Sequence, residues 1–299
     1  MDLGSYSYKL SVIVPITKMA GNLGLLKSWV SDAIKKEVKV ILVHDFNDAE
    51  TSDELKKFVT LVDSDAIAFT EGRFGSPGLA RNAGMIFVDS EWVAFWDSDD
   101  FPEVSKALNL IDKGTSKKKT ILVGSFSKVN ISEPQAIVQV FFRGSPNSWI
   151  NQISKSPGLW RFIIHGSKLQ KMPFSEIRMG EDQLLIEELL EFSGDFYFCN
   201  ESIYTYHVGN QFQATRSKTA RADIDKLVLQ TASLYKKSFK KYRRILAPYL
   251  VRQFVSAIKY LGISALLRLT FELMKITRLW MLFEALLFTL VANRSRSLM

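Results

Sequence analysis

Four short apolar runs, at residues 10–14, 38–43, 66–69 and 92–96, alternate with three stretches of helical periodicity, at 23–34, 52–62 and 78–88. This alternation constrains the fold more than any other feature. The runs are rich in β-branched residues and of strand length. Apolar strands separated by helices predict a parallel, doubly wound sheet covered on both faces. With 299 residues, 47% of them hydrophobic, the chain can build one large domain, or a domain with a substantial appendage.

The last apolar run, Trp92-Val93-Ala94-Phe95-Trp96, leads directly into Asp97-Ser98-Asp99-Asp100. Strand C-termini are where open α/β sheets hold their ligands. Clustered carboxylates at such an edge suit Mg²⁺ or Mn²⁺, ions that share their coordination shell with substrate phosphates. The tetrapeptide alone fits two readings. One is an enzyme that handles a nucleotide diphosphate through a metal. The other is a solvated acidic turn in which Asp99 caps the next helix.

The rest of the catalytic part is less regular. Pro102 suits the first turn of another helix. Residues 120–127 and 135–142 read as longer, partly alternating strands. A stretch rich in glycine, proline and tryptophan spans 144–160, an amphipathic helix 181–192, and a strand pair lies around 196–206. The single cysteine, Cys199, excludes an intramolecular disulfide framework and reads as a small core residue. The acidic, polar start and the short apolar run at 10–14 do not form a secretion signal, so a cytoplasmic protein is expected.

Four segments follow one another in the order of a known family. They are Ser11-Val12-Ile13-Val14-Pro15, Val40-Ile41-Leu42-Val43-His44-Asp45, Gly75-Ser76-Pro77-Gly78-Leu79-Ala80-Arg81-Asn82-Ala83-Gly84, and Phe95-Trp96-Asp97-Ser98-Asp99-Asp100. Together they resemble the N-terminal part of family 2 glycosyltransferases, which have the GT-A fold. The resemblance covers about residues 9–216. It implies that Pro15 and Asp45 lie at the nucleoside and that Arg81 and Asn82, near a helix N-terminus, lie close to the sugar nucleotide. It further implies that Asp97 and Ser98 face the ribose or sugar, and that Asp99 binds Mn²⁺ or Mg²⁺. The family usually has two Asp followed by Gly-Ser where this chain has His44-Asp45-Phe46-Asn47, and His44 reads as an ordinary loop histidine.

In Met179-Gly180-Glu181-Asp182-Gln183, the Glu-Asp pair resembles the family segment whose Asp is the general base. The role falls to Asp182, with Glu181 as the alternative. A carboxylate in the first turn of a helix is also a common helix stabiliser. His207, in Tyr204-Thr205-Tyr206-His207, is a candidate to complete the metal site, and Arg216 to close over the pyrophosphate. Trp149, Trp160 and Arg161 fall where an acceptor or donor wall is expected; core packing is the commoner fate of Trp.

The charge is uneven. Residues 236–299 carry 13 Lys and Arg against 2 Asp and Glu, a net of +11, whereas the whole chain is +8. The tail is helical in pattern, and its apolar faces carry Trp and Phe. Basic amphipathic helices of this kind suit an anionic membrane surface. A helical subdomain packed on the enzyme or on a second subunit is the alternative, including a homo-oligomer formed through these helices. Nothing else supports nucleic acid binding.

The expectation is therefore a GT-A domain over 1–217, a Rossmann-like, mostly parallel α/β sheet flanked by helices. A basic membrane-associating helical tail over 218–299 follows, placing the protein on the inner face of the cell membrane. The expected reaction is metal-dependent, inverting transfer from a nucleotide-diphosphate sugar, UDP-sugar first, to a hydroxyl of a glycan growing on a lipid carrier in cell-surface polysaccharide assembly. Two rivals stand beside it: a sugar nucleotidyltransferase, and a non-catalytic membrane scaffold that kept the fold.

Overall fold

The structure, a computed structural model, describes residues 6–19, 22–130, 133–142, 149, 152–169, 172–209 and 222–294. The chain groups into two units. One comprises 1–142, 159–174 and 194–210, the other 143–158, 175–193 and 211–299.

The first unit is built on the apolar runs read from the sequence. β1 (Tyr8–Ile16) lies between β2 (Lys39–Asp45) and β4 (Ser90–Phe95), and β3 (Ile67–Gly72) adds to β2; all four are parallel. They connect through α1 (Gly24–Lys35), α2 (Ala49–Val62) and α3 (Pro77–Gly84). α2 starts ahead of its apolar periodicity because Asp48 caps it, Oδ1 accepting from the Thr51 N–H at 2.7 Å. Every β1 residue from Leu10 to Val14 is fully buried, as a strand covered on both faces must be.

Past β4 the sheet turns mixed. β8 (Phe162–His165) runs antiparallel to β4 and to β6 (Ile121–Asn130), while β9 (Phe196–Val208) runs parallel to β6. The order among the described residues is β3-β2-β1-β4-β8-β6-β9-β5, with β7 (Glu133–Val140) also paired to β6. β5 is the two-residue strand Phe101–Pro102, at the end of that order against β9, and α4 (Val104–Ser116) follows it.

Two expectations are corrected here. Pro102 is not in the first turn of a helix but in β5. At a sheet edge its missing N–H costs no ladder bond. The strand pair expected around 196–206 is one strand of 13 residues. Its register on β6 jumps from Gly124↔Cys199 to Ser125↔Ser202, so Asn200 and Glu201 form a bulge rather than a turn. Asn200 makes that bulge stable, its Oδ1 accepting from the Phe142 N–H at 2.8 Å.

The second unit is helical where described. It contains α5 (Glu181–Leu189), α6 (Ile224–Lys237), α7 (Lys240–Leu261), α8 (Ile263–Ile276) and α9 (Leu279–Arg294). Leu246, Leu250, Gln253 and Ala257 form the buried face of α7, while Val255 is exposed. No helix among the described residues is long and apolar enough to cross a membrane.

Candidate functional site

The acidic cluster follows β4, as the sequence places it, and each of its carboxylates is held differently. Asp97 Oδ1 accepts from Arg81 Nη2 at 3.0 Å. Arg81 is only 6% exposed, and its Cζ lies 5.5 Å from the centroid of the Phe174 ring. Arg81 reaches Asp97 because α3 lies flat on the sheet. A Cβ on Gly84, three residues further along α3, would sit 2.6 Å from Ile13 Cγ2 on β1 and 3.0 Å from Val43 Cγ2 on β2. Ser76 starts this helix, its Oγ accepting from the Leu79 N–H, and Pro77 occupies the first turn.

Asp100 points inward and is 1% exposed. Its Oδ2 accepts from the Tyr204 hydroxyl at 3.0 Å and its Oδ1 from the His207 N–H at 2.7 Å. The same Tyr204 oxygen accepts from the Asp97 N–H at 3.0 Å, so one phenol bridges both ends of the tetrapeptide. Burial pushes the Asp100 carboxyl well up, opposed by the hydrogen bonds from His207 and Tyr204. Bonding to Asp100 holds the His207 imidazole up in turn, with Nδ1 3.7 Å from Asp100 Oδ1. Tyr204 is buried and stacked on Trp160, with ring centroids 4.7 Å apart.

Asp99 stands between these two anchored neighbours and is half-buried. Its negative charge raises both Asp100 and His207. Among the described residues no group of three or more His, Cys, Asp and Glu side chains is arranged to hold a metal ion by itself. The donor set nevertheless fits a hard divalent ion that takes one or two protein ligands and completes its shell with substrate phosphates. Asp99 and His207 are the groups that would hold it.

Asp45 closes the end of β2. Its carboxylate accepts from the Phe74 N–H at 2.8 Å and the Gly75 N–H at 3.1 Å, which fixes the turn that leads into α3. His44 alternates to the other face of β2 and is fully buried. Neither of its ring nitrogens has a hydrogen-bond partner among the described residues, and burial holds its pKa down. Pro15 is half-buried on β1 and Ser98 is buried. Asn82 is turned to the backbone of Phe174, which it grips with both ends of its amide, at 2.8 and 2.9 Å.

The aromatic and arginine candidates for an acceptor wall are packed inside. Arg161 is 2% exposed, donates from Nε to the Gly124 carbonyl at 2.9 Å, and lies over the rings of Phe126 and Phe142. Trp160 is stacked on Tyr204 and Tyr206. Both side chains are spent on the core of the sheet, the commoner fate of Trp. Trp149 is half-buried, and Arg216 lies outside the described residues.

Asp182 belongs to the second unit. It stands in the first turn of α5, half-buried, with Oδ1 accepting from the Gln183 N–H at 2.8 Å, while Glu181 beside it is buried. Gly180 caps this helix at φ +91°, and a Cβ there would be 2.4 Å from Leu227 Cδ2. Leu227 joins Ile177 and Leu184 in a small apolar cluster beneath the turn.

Sequence reasoning passed over Tyr204 and the anchoring role of Asp100. The signal available was that the tetrapeptide holds three carboxylates where a metal and a sugar employ two. One carboxylate was left over for burial, and a buried one needs partners.

The comparisons with known proteins agree with this arrangement. S. aureus TarS 1–349 superposes with a TM-score of 0.65 at 18% identity, covering 96% of this chain and 89% of that one. Its complex with UDP-GlcNAc matches at the same TM-score and 20% identity, over 84% of this chain and 74% of that one. Glycosyltransferase GlyA of Streptococcus pneumoniae serotype 4 is 23% identical over 214 residues, 67% of this chain. The chain spans only 30% of that relative's length. Residues 11–177 match the sequence model of glycosyl transferase family 2, a span that holds most of β1, Asp45, the Arg81 helix, and the acidic cluster at the end of β4. The parallel half-sheet, the carboxylates at its edge and the matched span agree: the chain is a GT-A-fold member of glycosyl transferase family 2.

Proposed function

We propose that this protein transfers a sugar from a nucleotide-diphosphate donor, UDP-sugar first, to a hydroxyl of a growing, lipid-linked cell-surface glycan. The observation that carries the donor reading is the buried Arg81 fixed against Asp97 beside the half-buried Asp99. An anion-binding guanidinium and a metal-binding carboxylate together match a diphosphate. The UDP-GlcNAc complex of the S. aureus neighbour favours UDP as the first nucleotide to test.

In this reading Asp45 and Pro15 border the nucleoside, Asp97 and Ser98 the ribose or sugar, and Asp99 with His207 the metal. Arg81, already oriented by Asp97 and Phe174, needs little reordering to meet phosphate oxygens. A bound Mn²⁺ or Mg²⁺ supplies neutralisation of the charge that develops on the leaving diphosphate. Asp182 takes the proton of the acceptor hydroxyl as its oxygen bonds to the anomeric carbon and the nucleotide diphosphate departs, which inverts that centre. Asn82 acts at one remove, by gripping Phe174 under the Arg81 guanidinium.

The test is thermal unfolding of the full chain with Mn²⁺ and each nucleoside diphosphate in turn. A ligand that binds the native state alone raises the midpoint by mass action. A rise with UDP that needs Mn²⁺ and disappears in Asp99→Ala is expected. Asp182→Asn is expected to keep that rise while transfer falls about 10²- to 10⁴-fold. No rise with any diphosphate would refute the donor site. An Asp182→Asn enzyme of normal rate would refute the base.

A further inference from the structure

The second unit leaves an apolar surface open. Along α9, Trp280, Phe283, Leu287 and Leu290 recur at helical spacing and are exposed, with Leu286 beside them, while Met281 and Ala285 face inward. Phe283 is 64% exposed. Leu267, Phe271 and Met274 make a second exposed stripe on α8. Single exposed apolar residues are ordinary, but a stripe running the length of a helix marks a surface that something covers.

The rim of the α9 stripe is cationic. Arg243, at the start of α7, lies over the Trp280 ring at 5.4 Å, and Arg244 lies over Phe288 at 5.3 Å. One turn before Arg243 is the α6–α7 corner, where Phe239 is 81% exposed. Lys236 and Lys237 precede it and Lys240 and Lys241 follow; all four are exposed, and none is in an ion pair among the described residues. On α8, Lys275 lies 4.4 Å from the Phe271 ring centroid.

We propose that the α6–α7 corner and the outer stripe of α9 are a docking surface for an anionic lipid bilayer. Phe239 would enter first, the lysines would meet the headgroups, and α9 would lie along the interface. The helices would rest on the bilayer rather than cross it, since none among the described residues is long and apolar enough to span.

Charge selects this occupant over a second copy of the chain. Residues 236–299 contain only two acidic side chains, Glu272 and Glu284. Glu272 is taken by Lys275 at 2.8 Å, and Glu284 by the Tyr235 hydroxyl at 3.1 Å and Arg243 at 3.4 Å. Two copies joined through this face would set lysine cluster near lysine cluster, with neither acidic side chain of residues 236–299 free to offset them. An anionic bilayer supplies both the apolar cover and the opposite charge.

The test is co-sedimentation of the full chain, without substrate, with phosphatidylcholine vesicles and with vesicles carrying about one-third phosphatidylglycerol. The readout is independent of the transfer reaction, so its failure and that of the donor reading are distinguishable. Binding to the anionic vesicles alone is expected, weakening as salt rises. Replacing Lys236, Lys237, Lys240 and Lys241 by Gln is expected to weaken it about several hundredfold, from the usual contribution of each cation near such a surface. Phe239→Ser with Phe283→Ser is expected to abolish it. These side chains are exposed, and unchanged unfolding midpoints would show that the variants fold. Equal binding to both vesicles, retention by the Gln variant, or a dimer dissolved by the Ser variant without any vesicle binding would each overturn the proposal.

Discussion

Glu187 offers the most direct physical test of the helical unit. It lies on α5, fully buried. The Thr231 hydroxyl donates to its Oε2 at 2.8 Å, and Gln253 Nε2 donates to its Oε1 at 2.8 Å and to Gln183 Oε1 at 3.2 Å. Burial pushes the carboxyl from its ordinary 4.5 up to about 8, against the pull of those two hydrogen bonds. The native state therefore holds a proton that the unfolded chain releases as pH rises above about 4.5. Stability falls with pH from there and levels off above about 8. At about 1.4 kcal/mol per pH unit, tempered near the upper pKa, the loss between pH 6 and 8 is about 2 kcal/mol.

Glu187→Gln keeps the size of the side chain and removes the titration. Unfolding midpoints of both proteins at pH 6, 7 and 8 give the comparison. Whatever Asp100 and His207 contribute is the same in both proteins and cancels in the difference, since they belong to the other unit and share no partner with Glu187. The wild type is expected to lose about 3 °C more than the variant across the window. Parallel curves would mean that Glu187 is already ionised in the native state, and would refute the argument from burial.

Two further outcomes follow from the close contacts within each unit. Gly180→Ala combines an unfavourable φ of +91° with a Cβ 2.4 Å from Leu227 Cδ2. It should cost about 2 kcal/mol or more in a denaturant titration, and Leu227→Ala in the same chain should relieve the clash but not the backbone strain. Tyr204→Phe removes the hydroxyl that serves both Asp97 and Asp100. A loss of about 1–3 kcal/mol of stability is expected, with a smaller thermal shift from UDP and Mn²⁺.

Much of the first half-sheet was legible because each strand and helix there announces itself locally. The apolar run 10–14 is all buried, while of the helical stretch read at 78–88 the α-helix extends only to Gly84 and a short 3₁₀ turn, Met85–Phe87, follows. Arg81 reads from the sequence as lying near a helix N-terminus, whereas α3 ends at Gly84 and Arg81 falls in its last turn, so its placement rests on tertiary contacts rather than on the helix dipole. Its partner Asp97 lies sixteen residues away, however, and only the laying of α3 on β1 and β2 brings them together. Reading failed where tertiary pairing overrode local pattern. The stretch around 196–206 reads as a strand pair until β6 is seen continuing alongside it as one bulged strand. Trp160 and Arg161 carry the residue types of a sugar wall, yet nothing local says that Phe126, Phe142 and Tyr204 enclose them. On α7 the apolar Val255 is exposed, whereas the polar Gln253 is buried because Glu187 and Gln183 accept its amide protons.

The misread proline bears on how the acidic cluster stays in place. A buried carboxylate such as Asp100 is costly unless its partners are fixed. Both partners, Tyr204 and His207, come from β9, about a hundred residues along the chain. β5 follows Asp100 immediately and pairs with the same stretch of β9, Phe101 opposite Thr205 and Pro102 opposite Tyr204. The Glu103 N–H then donates to the Ile203 carbonyl at 2.9 Å and extends the attachment. The pairing thus sets the register in which Tyr204 meets Asp97 and Asp100 while His207 meets Asp100. Asp99, flanked by two anchored neighbours, has its backbone held from both sides, although its own carboxylate is not the one that is buried. A two-residue edge strand with a proline in it looks dispensable. Here it joins the loop that carries the candidate metal ligand to the strand that carries the other.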